Sequence, residues 1–371
     1  MIYLDHGATS FHKPRAVQEA VNRALQTCGN PGRGGHRAAM AASGTVYNCR
    51  ELAARMFHCM PEQVAFTGSC THGLNVAINT LVKAGDPVVI SGFEHNAVSR
   101  PLYGLGAQVQ IAGRELFNPV DTLEQWEKAL KTGPRAAIFT HVSNVFGYIL
   151  PVEEMASLCR QYHVPFILDA AQSAGMLPIS LERLGADFIA MPGHKGLLGP
   201  MGTGLLLCGR TPTPLLRGGT GSMSRLQQMP EELPDVLEAG TLNVPGIAGL
   251  AAGLRSIQKT GEKNLLDREI RQQQRCVCAL KKMGVSVFAG EHQTGTVSFV
   301  PRADCEEVAQ RLAERGIAVR AGLHCAPIAH ESAGTLETGT VRISFGHDAS
   351  DRQTDRLLEV ITNETMKKFF Q

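Results

Sequence analysis

The chain has 371 residues, of which 43% are hydrophobic and 19% charged, and its formal net charge is +2. This length exceeds the usual size of one hydrophobic core, so we expect two domains. No basic run with interleaved aromatics points to nucleic acid or a membrane surface, which favours a small-molecule partner. The sequence opens without a signal-peptide pattern and has no run of about 18 apolar residues, so we expect a cytoplasmic protein.

Ten cysteines are spread along the chain without the spacing of a disulfide framework. We expect most of them to be buried thiols in a reducing compartment. Cys276 and Cys278 invite a metal interpretation, but they fall in a predicted helix over residues 267–283. No second cysteine or histidine pair accompanies them at ligand spacing, so the sequence predicts no metal site.

The amino-terminal part of the chain alternates short apolar runs with helix-length amphipathic stretches. The runs are continuous, as expected of parallel strands that are buried on both faces. Ligands bind beyond the carboxyl ends of such strands, so the polar residues that follow the strands are candidate site residues. The predicted strands cover residues 64–66, 87–90, 136–140, 164–168 and 188–191.

The carboxyl-terminal part has a different pattern, which predicts a smaller α+β domain. A Gly- and Met-rich stretch over residues 217–229 precedes a predicted helix over residues 244–263. We place the domain boundary near residue 255, between a large domain of residues 14–255 and a small one of residues 256–371. The later elements are strand-like runs over residues 285–288, 295–299 and 341–345 and helices near 267–283 and 304–315.

Lys195 is the most informative single residue, because it follows an apolar strand within a Gly-rich loop, an odd place for a surface charge. Asp169 ends the preceding predicted strand. A lysine can hold pyridoxal phosphate as a Schiff base, and a buried acid can keep the pyridine nitrogen protonated so that the ring accepts electrons. Taken alone, each residue favours the interpretation as an ordinary turn residue or helix cap.

Residues 67–73 follow the first predicted strand and open a helix. Backbone N–H groups and hydroxyls at a helix N-terminus favour a bound phosphate. A simple Ser/Thr helix cap explains the local pattern equally well. The sequence therefore leaves both interpretations of this turn open.

Two residues near the C-terminus are candidates for substrate chemistry. Arg342 lies among apolar neighbours and needs an anionic partner, which can be a substrate carboxylate held bidentately or a structural salt bridge. An edge strand that faces water is a third interpretation. Cys325 follows His324 in a loop, where Arg320 and His324 would favour the nucleophilic thiolate. A free cysteine without a role is the alternative.

The order of these motifs resembles the cysteine desulfurases and selenocysteine lyases of the class V aminotransferase family, from residue 3 to residue 344. The resemblance implies the type I fold of pyridoxal phosphate-dependent transferases: α/β, with a large, mostly parallel-sheet domain and a smaller C-terminal α+β domain. It also implies that residues 1–13 pack near the small domain. The likeness is strongest at Glu94-His95-Asn96-Ala97, His141-Val142-Ser143-Asn144, Glu238-Ala239-Gly240-Thr241, Arg320-Ala321-Gly322-Leu323-His324-Cys325-Ala326 and the segments around Asp169 and Lys195.

The resemblance implies pyridoxal 5'-phosphate as the cofactor, bound covalently by Lys195. Asp169 then pairs with the pyridine nitrogen, and Gln172 hydrogen-bonds the ring hydroxyl. His95 stacks on the ring and can relay protons. Asn144 lies near the ring and the substrate carboxylate.

The phosphate site implied by the resemblance contains Cys70, Thr71 and His194. Relatives commonly have two threonines at the first two positions, so Cys70 departs from the pattern and leaves its backbone contact as the expected one. Thr241 reaches this site from a second subunit in the family arrangement. The resemblance therefore implies a homodimer.

On the substrate side, the resemblance implies that Arg342 binds the carboxylate and that Arg320 helps to hold the cysteine-bearing loop. Cys325 is the candidate sulfur acceptor. Arg33 matches a substrate-side loop in which relatives with selenocysteine lyase activity often have a histidine before the arginine. This chain has Gly32 there.

The function that the resemblance implies is conversion of L-cysteine to L-alanine. Lys195 removes the α-proton, and Cys325 takes the sulfur as a persulfide and passes it to an acceptor protein or thiol. A selenocysteine β-lyase, or a lyase of another sulfur amino acid, is the nearest alternative on the same scaffold. A non-catalytic persulfide carrier or scaffold is a further alternative, against which the intact Lys195, Asp169, Gln172 and His95 argue.

Overall fold

The computed structural model of the protein describes residues 1–32 and 34–370, apart from the side chain at position 365. Three sheets are present in this part of the chain. The strands are β1 (Ile2–Tyr3), β2 (Val64–Thr67), β3 (Pro87–Ser91), β4 (Gln108–Ala112), β5 (Ala136–Thr140), β6 (Phe166–Asp169), β7 (Phe188–Pro192), β8 (Gly204–Cys208), β9 (Ser286–Phe288), β10 (Thr296–Val300), β11 (Ile317–Ala318), β12 (Arg320–Gly322) and β13 (Thr340–Ser344).

Helices connect most of these strands and cover the sheets. None of the helices in the described part of the chain is long and apolar enough to cross a membrane. They are α1 (Arg15–Thr27), α2 (Arg37–Met56), α3 (Cys70–Leu81), α4 (Asn96–Leu105), α5 (Pro119–Leu130), α6 (Val152–Gln161), α7 (Leu181–Leu184), α8 (Val244–Thr260), α9 (Glu262–Lys282), α10 (Cys305–Glu314), α11 (Pro327–Ser332), α12 (Asp351–Thr362) and α13 (Glu364–Phe370).

The largest sheet has seven strands in the order β2-β8-β7-β6-β5-β3-β4. The five strands from β7 to β4 are parallel, which confirms the predicted α/β class. Adjacent residues of one strand enter opposite cores: Ile138 and Ile167 pack on one face, and Phe139 and Leu168 pack on the other. Burial on both faces explains why these strands are continuous apolar runs.

The sequence did not predict β8, which runs antiparallel to both β7 and β2. Residues 204–208 form an apolar run like the other strands, but their position directly after the Lys195 loop leaves no room for a crossover helix. A short connection can join only antiparallel neighbours in a sheet. The strand therefore returns beside β7 and places the intervening loop at the carboxyl end of β7.

A second unit is built on a four-stranded antiparallel sheet of order β12-β13-β10-β9. Its hydrophobic core joins strand residues such as Phe299 and Ile343 to Leu312 of α10 and Leu357 of α12. The first strand of the chain also belongs here: β1 pairs in parallel with β11, and Leu4 lies in the same core.

The two predicted helices over residues 244–263 and 267–283 correspond to α8 and α9, which meet at Gly261. Gly261 has a φ of 84°, a conformation that side-chain-bearing residues rarely adopt, so the chain turns there. Helix α8 packs against α1 and α2. We therefore propose Gly261, in place of residue 255, as the boundary between the two units.

Candidate active site

The polar residues that follow neighbouring parallel strands meet at one edge of the large sheet. His95 follows β3, Asn144 follows β5, Asp169 ends β6 and Lys195 follows β7. Because β7, β6, β5 and β3 are consecutive in the sheet, these four side chains line one cavity with about 520 Å³ of empty space. The rest of the lining includes Cys70, Thr71, Gln172 and His194.

Asp169 is a buried carboxylate at the floor of this cavity, with 2% of its surface exposed. Its Oδ1 accepts hydrogen bonds from the backbone N–H of Ala171 at 2.9 Å and from the thiol of Cys70 at 3.5 Å. Burial raises the pKa of the Cys70 thiol well above its ordinary value, and the charge of Asp169 raises it further. The thiol therefore stays protonated and donates to the carboxylate.

Lys195 lies across the cavity from Asp169 and is only partly exposed. Burial lowers the pKa of its ammonium group, while the nearby carboxylate of Asp169 acts in the opposite direction. The amine therefore loses its proton more readily than a surface lysine does, as a nucleophile or base must. This pair is the chemical centre of the site.

Glycines surround Lys195 because the loop is packed tightly against the rest of the site. A Cβ at Gly196 would overlap the carbonyl oxygen of Ala174, and a Cβ at Gly193 would overlap the hydroxyl of Thr203. Only glycine fits at these two positions. The close packing fixes the point from which the lysine side chain leaves the backbone.

His95 is held by its own helix. It is the N-cap of α4, and its Nδ1 accepts a hydrogen bond from the backbone N–H of Ala97 at 2.9 Å. Burial lowers the pKa of the imidazole, so the neutral ring with its proton on Nε2 is favoured. The cap therefore fixes both the orientation of the ring in the cavity and its tautomer.

The N-terminus of α3 supplies a second polar wall. Ser69 caps the helix by accepting a hydrogen bond from the N–H of His72 at 3.1 Å. Cys70 and Thr71 begin the helix and line the cavity. The helix cap is present and uses Ser69, and it leaves Cys70 and Thr71 lining the cavity.

The amino-terminal segment closes another side of the site. The carbonyl oxygen of His194 accepts hydrogen bonds from the hydroxyl of Ser10 at 3.0 Å and from the ammonium group of Lys13 at 2.8 Å. The ring Nδ1 of His194 lies 3.0 Å from the hydroxyl of Thr9. Burial, and then the charges of Lys195 and Lys13, lower the pKa of His194 to about 4, so its ring is neutral.

Gln172 also depends on this segment. Its side-chain amide donates to the carbonyl oxygen of Gly7 at 2.9 Å. The sequence analysis assigned no site residue to the first ten positions. The clearest pattern in these positions is a polar run directly after an apolar strand.

Arg342 is 2% exposed, and the anionic partner that its burial requires is Asp5. One guanidinium nitrogen donates to Oδ1 of Asp5 at 2.7 Å, and another donates to the carbonyl oxygen of Asn144 at 2.8 Å. The other oxygen of Asp5 accepts from Arg320 at 3.0 Å. The structure thus contains the salt bridge that the sequence left open as an alternative, and Nε of Arg342 has no hydrogen-bond partner among the described residues.

Cys325 is exposed and lies in the loop between β12 and α11. Its carbonyl oxygen accepts from the N–H of Asn96 at 2.7 Å, and the carbonyl oxygen of His324 accepts from the side chain of Asn144 at 2.8 Å. Both loop residues have positive φ, 51° and 56°, a conformation that costs about 1–2 kcal/mol per residue. The hydrogen bonds from Asn96 and Asn144 therefore stabilise this positive-φ conformation of the loop.

The expectation that His324 favours a thiolate is wrong. Its ring is 8% exposed and stacks on His330, and burial lowers its pKa to about 3. A neutral imidazole contributes no positive charge to Cys325. Arg320 keeps its charge near the loop, although it pairs with Asp5.

Four of the predicted residues that the structure describes do not line this cavity: Arg320, Cys325, Arg342 and Thr241. Thr241 is exposed in the segment over residues 209–243, which has no helix or strand, and it does not line the cavity of the single chain. Arg33 lies outside the described residues. Asp5, which contacts both Arg320 and Arg342, was not predicted from the sequence.

The sequence and the fold are similar to those of known proteins. Residues 2–357 match the class-V aminotransferase family. The chain is 32% identical to a probable cysteine desulfurase from Pyrococcus abyssi, over 97% of this chain and 93% of that one, and 30% identical to a cysteine desulfurase from Escherichia coli, over 88% and 84%. The apo structure of a cysteine desulfurase from Thermococcus onnurineus superposes with a TM-score of 0.89 at 32% identity, covering 97% of this chain and 93% of that one. The chain therefore belongs to the class-V aminotransferase family and, within it, to the cysteine desulfurases, and it is an enzyme of that type.

Proposed function

We propose that the protein is a pyridoxal phosphate-dependent cysteine desulfurase that converts L-cysteine to L-alanine and transfers the sulfur to Cys325 as a persulfide. The observation that carries this proposal is the pairing of a buried carboxylate, Asp169, with a lysine of lowered pKa, Lys195, in one cavity. The two relatives named above are a probable cysteine desulfurase and a cysteine desulfurase, and their similarity to this protein extends over most of its chain.

The residues present fit the cofactor. Asp169 would pair with the pyridine nitrogen, the start of α3 and His194 would hold the phosphate, and Gln172 would hydrogen-bond the ring hydroxyl. The buried Oδ1 of Asn144 has no hydrogen-bond partner among the described residues, as expected of an atom that contacts a ligand. When bound, the group supplies an electron sink that stabilises a carbanion at the substrate α-carbon.

Lys195 is the base in this proposal. Burial lowers the pKa of Nζ, which makes the amine a more accessible base for removal of the α-proton than a surface lysine. The neutral ring of His95 can then hold or pass a proton through Nε2, because Nδ1 is used in the helix cap. Arg342 is buried beside Asn144 and would bind the substrate carboxylate in exchange for its contact with Asp5.

Cys325 completes the reaction. Its thiolate attacks the sulfur of the substrate, forming a sulfur–sulfur bond and breaking the carbon–sulfur bond. The electron pair of the broken bond stays with the substrate β-carbon, which takes a proton, and the α-carbon takes back the proton held by Lys195, so that the product leaves as alanine. A thiol or an acceptor protein then removes the persulfide sulfur, and the exposure of Cys325 gives such a partner access.

Selenocysteine β-lyase activity is the second candidate, because Cys325 does not line the cavity that contains Lys195 and Asp169. Release of selenium does not require a thiol nucleophile, since selenium is the better leaving group. A reaction that leaves Cys325 unused is therefore compatible with this geometry.

The finer features of the proposal are a homodimer, with Thr241 reaching the phosphate site of the other subunit, and a cytoplasmic location. All ten cysteines are free thiols, which fits a reducing compartment. Thr241 is exposed and thus available to a partner.

The test is alanine production from L-cysteine and, in parallel, from L-selenocysteine in the presence of a reducing thiol. We expect Cys325→Ala to lose turnover of cysteine by at least about 100-fold and to lose the persulfide, because the nucleophile is gone. It should keep the yellow absorbance of the bound cofactor, which Lys195→Ala should lose.

Cys278→Ala is the matched control, because Cys278 is also an exposed cysteine but lies on α9. It should retain turnover. If Cys325→Ala retained turnover of cysteine, Cys325 would not be the nucleophile. Alanine from selenocysteine alone would favour the lyase.

A further inference from the structure

Two histidines from distant parts of the sequence meet beside the candidate active site. The N–H of His6 donates to the carbonyl oxygen of Ser344 at 3.3 Å, and the N–H of Gly7 donates to the hydroxyl of the same serine at 2.8 Å. The next turn after β13 carries His347 and Asp348. The backbone pairing of the first segment with the last strand thus fixes His6 next to this turn.

The side chains of His6, His347 and Asp348 converge. One donor atom from each of the three residues lies within 4.8 Å of the other two. Nε2 of His6 is 3.2 Å from Oδ1 of Asp348, although this oxygen has no hydrogen bond of acceptable geometry. Metal–ligand bonds of about 2.0–2.2 Å separate neighbouring ligand atoms by roughly 3–3.5 Å, so the spacing suits a shared cation.

Unpartnered polar atoms support the same conclusion. His6 is 8% exposed, and its Nδ1 has no hydrogen-bond partner among the described residues, nor has Nδ1 of His347. Buried polar groups without partners are rare in folded proteins and call for a ligand or ion. A Cβ at Gly346 would overlap the ring of His6, so the turn packs directly against the imidazole.

The surroundings resemble those of a metal site. Oδ2 of Asp348 lies 3.0 Å from Nδ1 of His12, which can orient the carboxylate as outer-shell groups do. Glu269 is buried and lines the adjoining cavity together with His6 and His347.

We propose that His6, His347 and Asp348 bind a divalent first-row transition-metal ion such as Zn²⁺. Imidazole and carboxylate donors favour this class over Mg²⁺ or Ca²⁺, which prefer oxygen ligands. The ion joins the amino-terminal segment to the turn after β13. The adjoining cavity shares Lys195 and Gln172 with the candidate active site, but binding does not depend on the reaction there.

The test uses Co²⁺ as a spectroscopic probe, added under anaerobic conditions to the chelator-treated holoenzyme. We expect one Co²⁺ per chain at micromolar affinity, with visible d–d bands and no intense thiolate charge-transfer band, because the donors are nitrogen and oxygen. His347→Gln and Asp348→Asn should each weaken binding by at least about tenfold. Both residues are partly exposed, which favours folding of the variants.

His36→Asn is the matched control, since it removes an exposed histidine and keeps a side chain that caps α2. It should bind Co²⁺ as the wild-type protein does, and an unchanged cofactor spectrum should show that each variant is folded. Absence of micromolar binding, a thiolate charge-transfer band, or equal binding by His347→Gln and Asp348→Asn would overturn the proposal. None of these outcomes bears on the desulfurase reaction.

Discussion

Asp5 holds two arginines at once. Its two oxygens accept hydrogen bonds from Arg342 at 2.7 Å and Arg320 at 3.0 Å, and Arg342 is almost completely buried. A buried guanidinium without a counter-ion is costly, so Asp5 stabilises the fold at the substrate side of the cavity. The same carboxylate occupies a position from which it competes with a substrate carboxylate for Arg342.

Asp5→Asn should lower the free energy of unfolding by about 3 kcal/mol, because it leaves the charge of Arg342 buried and uncompensated. Urea denaturation of the two proteins measures the difference. Arg320→Gln removes the half-exposed partner of Asp5 and should cost about 1 kcal/mol or less. Equal losses in the two variants would show that burial of Arg342 does not dominate this cluster.

The residues that sequence could assign are those whose position follows from the local chain. Asp169 and Lys195 directly follow apolar strands, and parallel strands bring such residues to one edge. Asp5 and His6 escaped prediction because their partners lie more than 300 positions away along the chain. No local pattern encodes such a contact.

The turn between β3 and α4 is braced by a buried acid, Glu94. Its Oε1 accepts from the N–H of Thr140 at 2.8 Å and from the hydroxyl of Ser91, so it ties the ends of β3 and β5 together. Oε2 has no hydrogen-bond partner among the described residues. Burial raises the pKa of Glu94 to about 8. This brace holds the turn from which His95 enters the cavity.

The contribution of Glu94 to stability should therefore fall as pH rises. The unfolded chain loses the proton of Glu94 near pH 4.5, whereas the folded protein keeps it up to about pH 8, so deprotonation favours unfolding throughout this window. Glu94→Gln cannot titrate, and its free energy of unfolding should change less between pH 5 and 8. Urea midpoints at several pH values measure the two slopes. Exposed Glu291→Gln should keep the wild-type slope, and a wild-type slope in Glu94→Gln would contradict the assignment.

At the level of elements, continuous apolar runs predicted the parallel strands well because both faces of the sheet are buried. An apolar run does not indicate in which direction a strand runs in the sheet. The sequence therefore did not reveal the antiparallel strand β8. The break between α8 and α9 was predicted a few residues after its actual position at Gly261, because helical periodicity continues past this glycine. A glycine within a helical pattern is compatible with either a helix or a turn.

The whole molecule presents one surface that the single chain does not cover. The segment over residues 209–243 exposes apolar side chains, including Leu216 at 61% and Leu226 at 57%, and it contains Thr241. Exposed apolar side chains concentrated in one segment fit a protein interface. This observation supports the proposed homodimer.

The double variant Leu216→Asp, Leu226→Asp should be monomeric in sedimentation velocity, whereas the wild-type protein should have twice the mass of one chain. Charges buried at an interface oppose association. The variant should also bind pyridoxal phosphate more weakly, since Thr241 of the other subunit is lost from the phosphate site. Tyr103→Asp, at an exposed position on α4, should remain dimeric. A monomeric wild-type protein would contradict the proposal.

The pairing of the first residues with β13 also has a consequence during biosynthesis. The ion pair between Asp5 and Arg342 spans 337 positions. A ribosome that adds about 5–20 residues per second needs roughly 20–70 s to make that length of chain. Throughout this time the strands that carry Asp169 and Lys195 can assemble, while Asp5 remains solvated. The cofactor side of the site can thus form on the ribosome, but the substrate side must wait for the last strand.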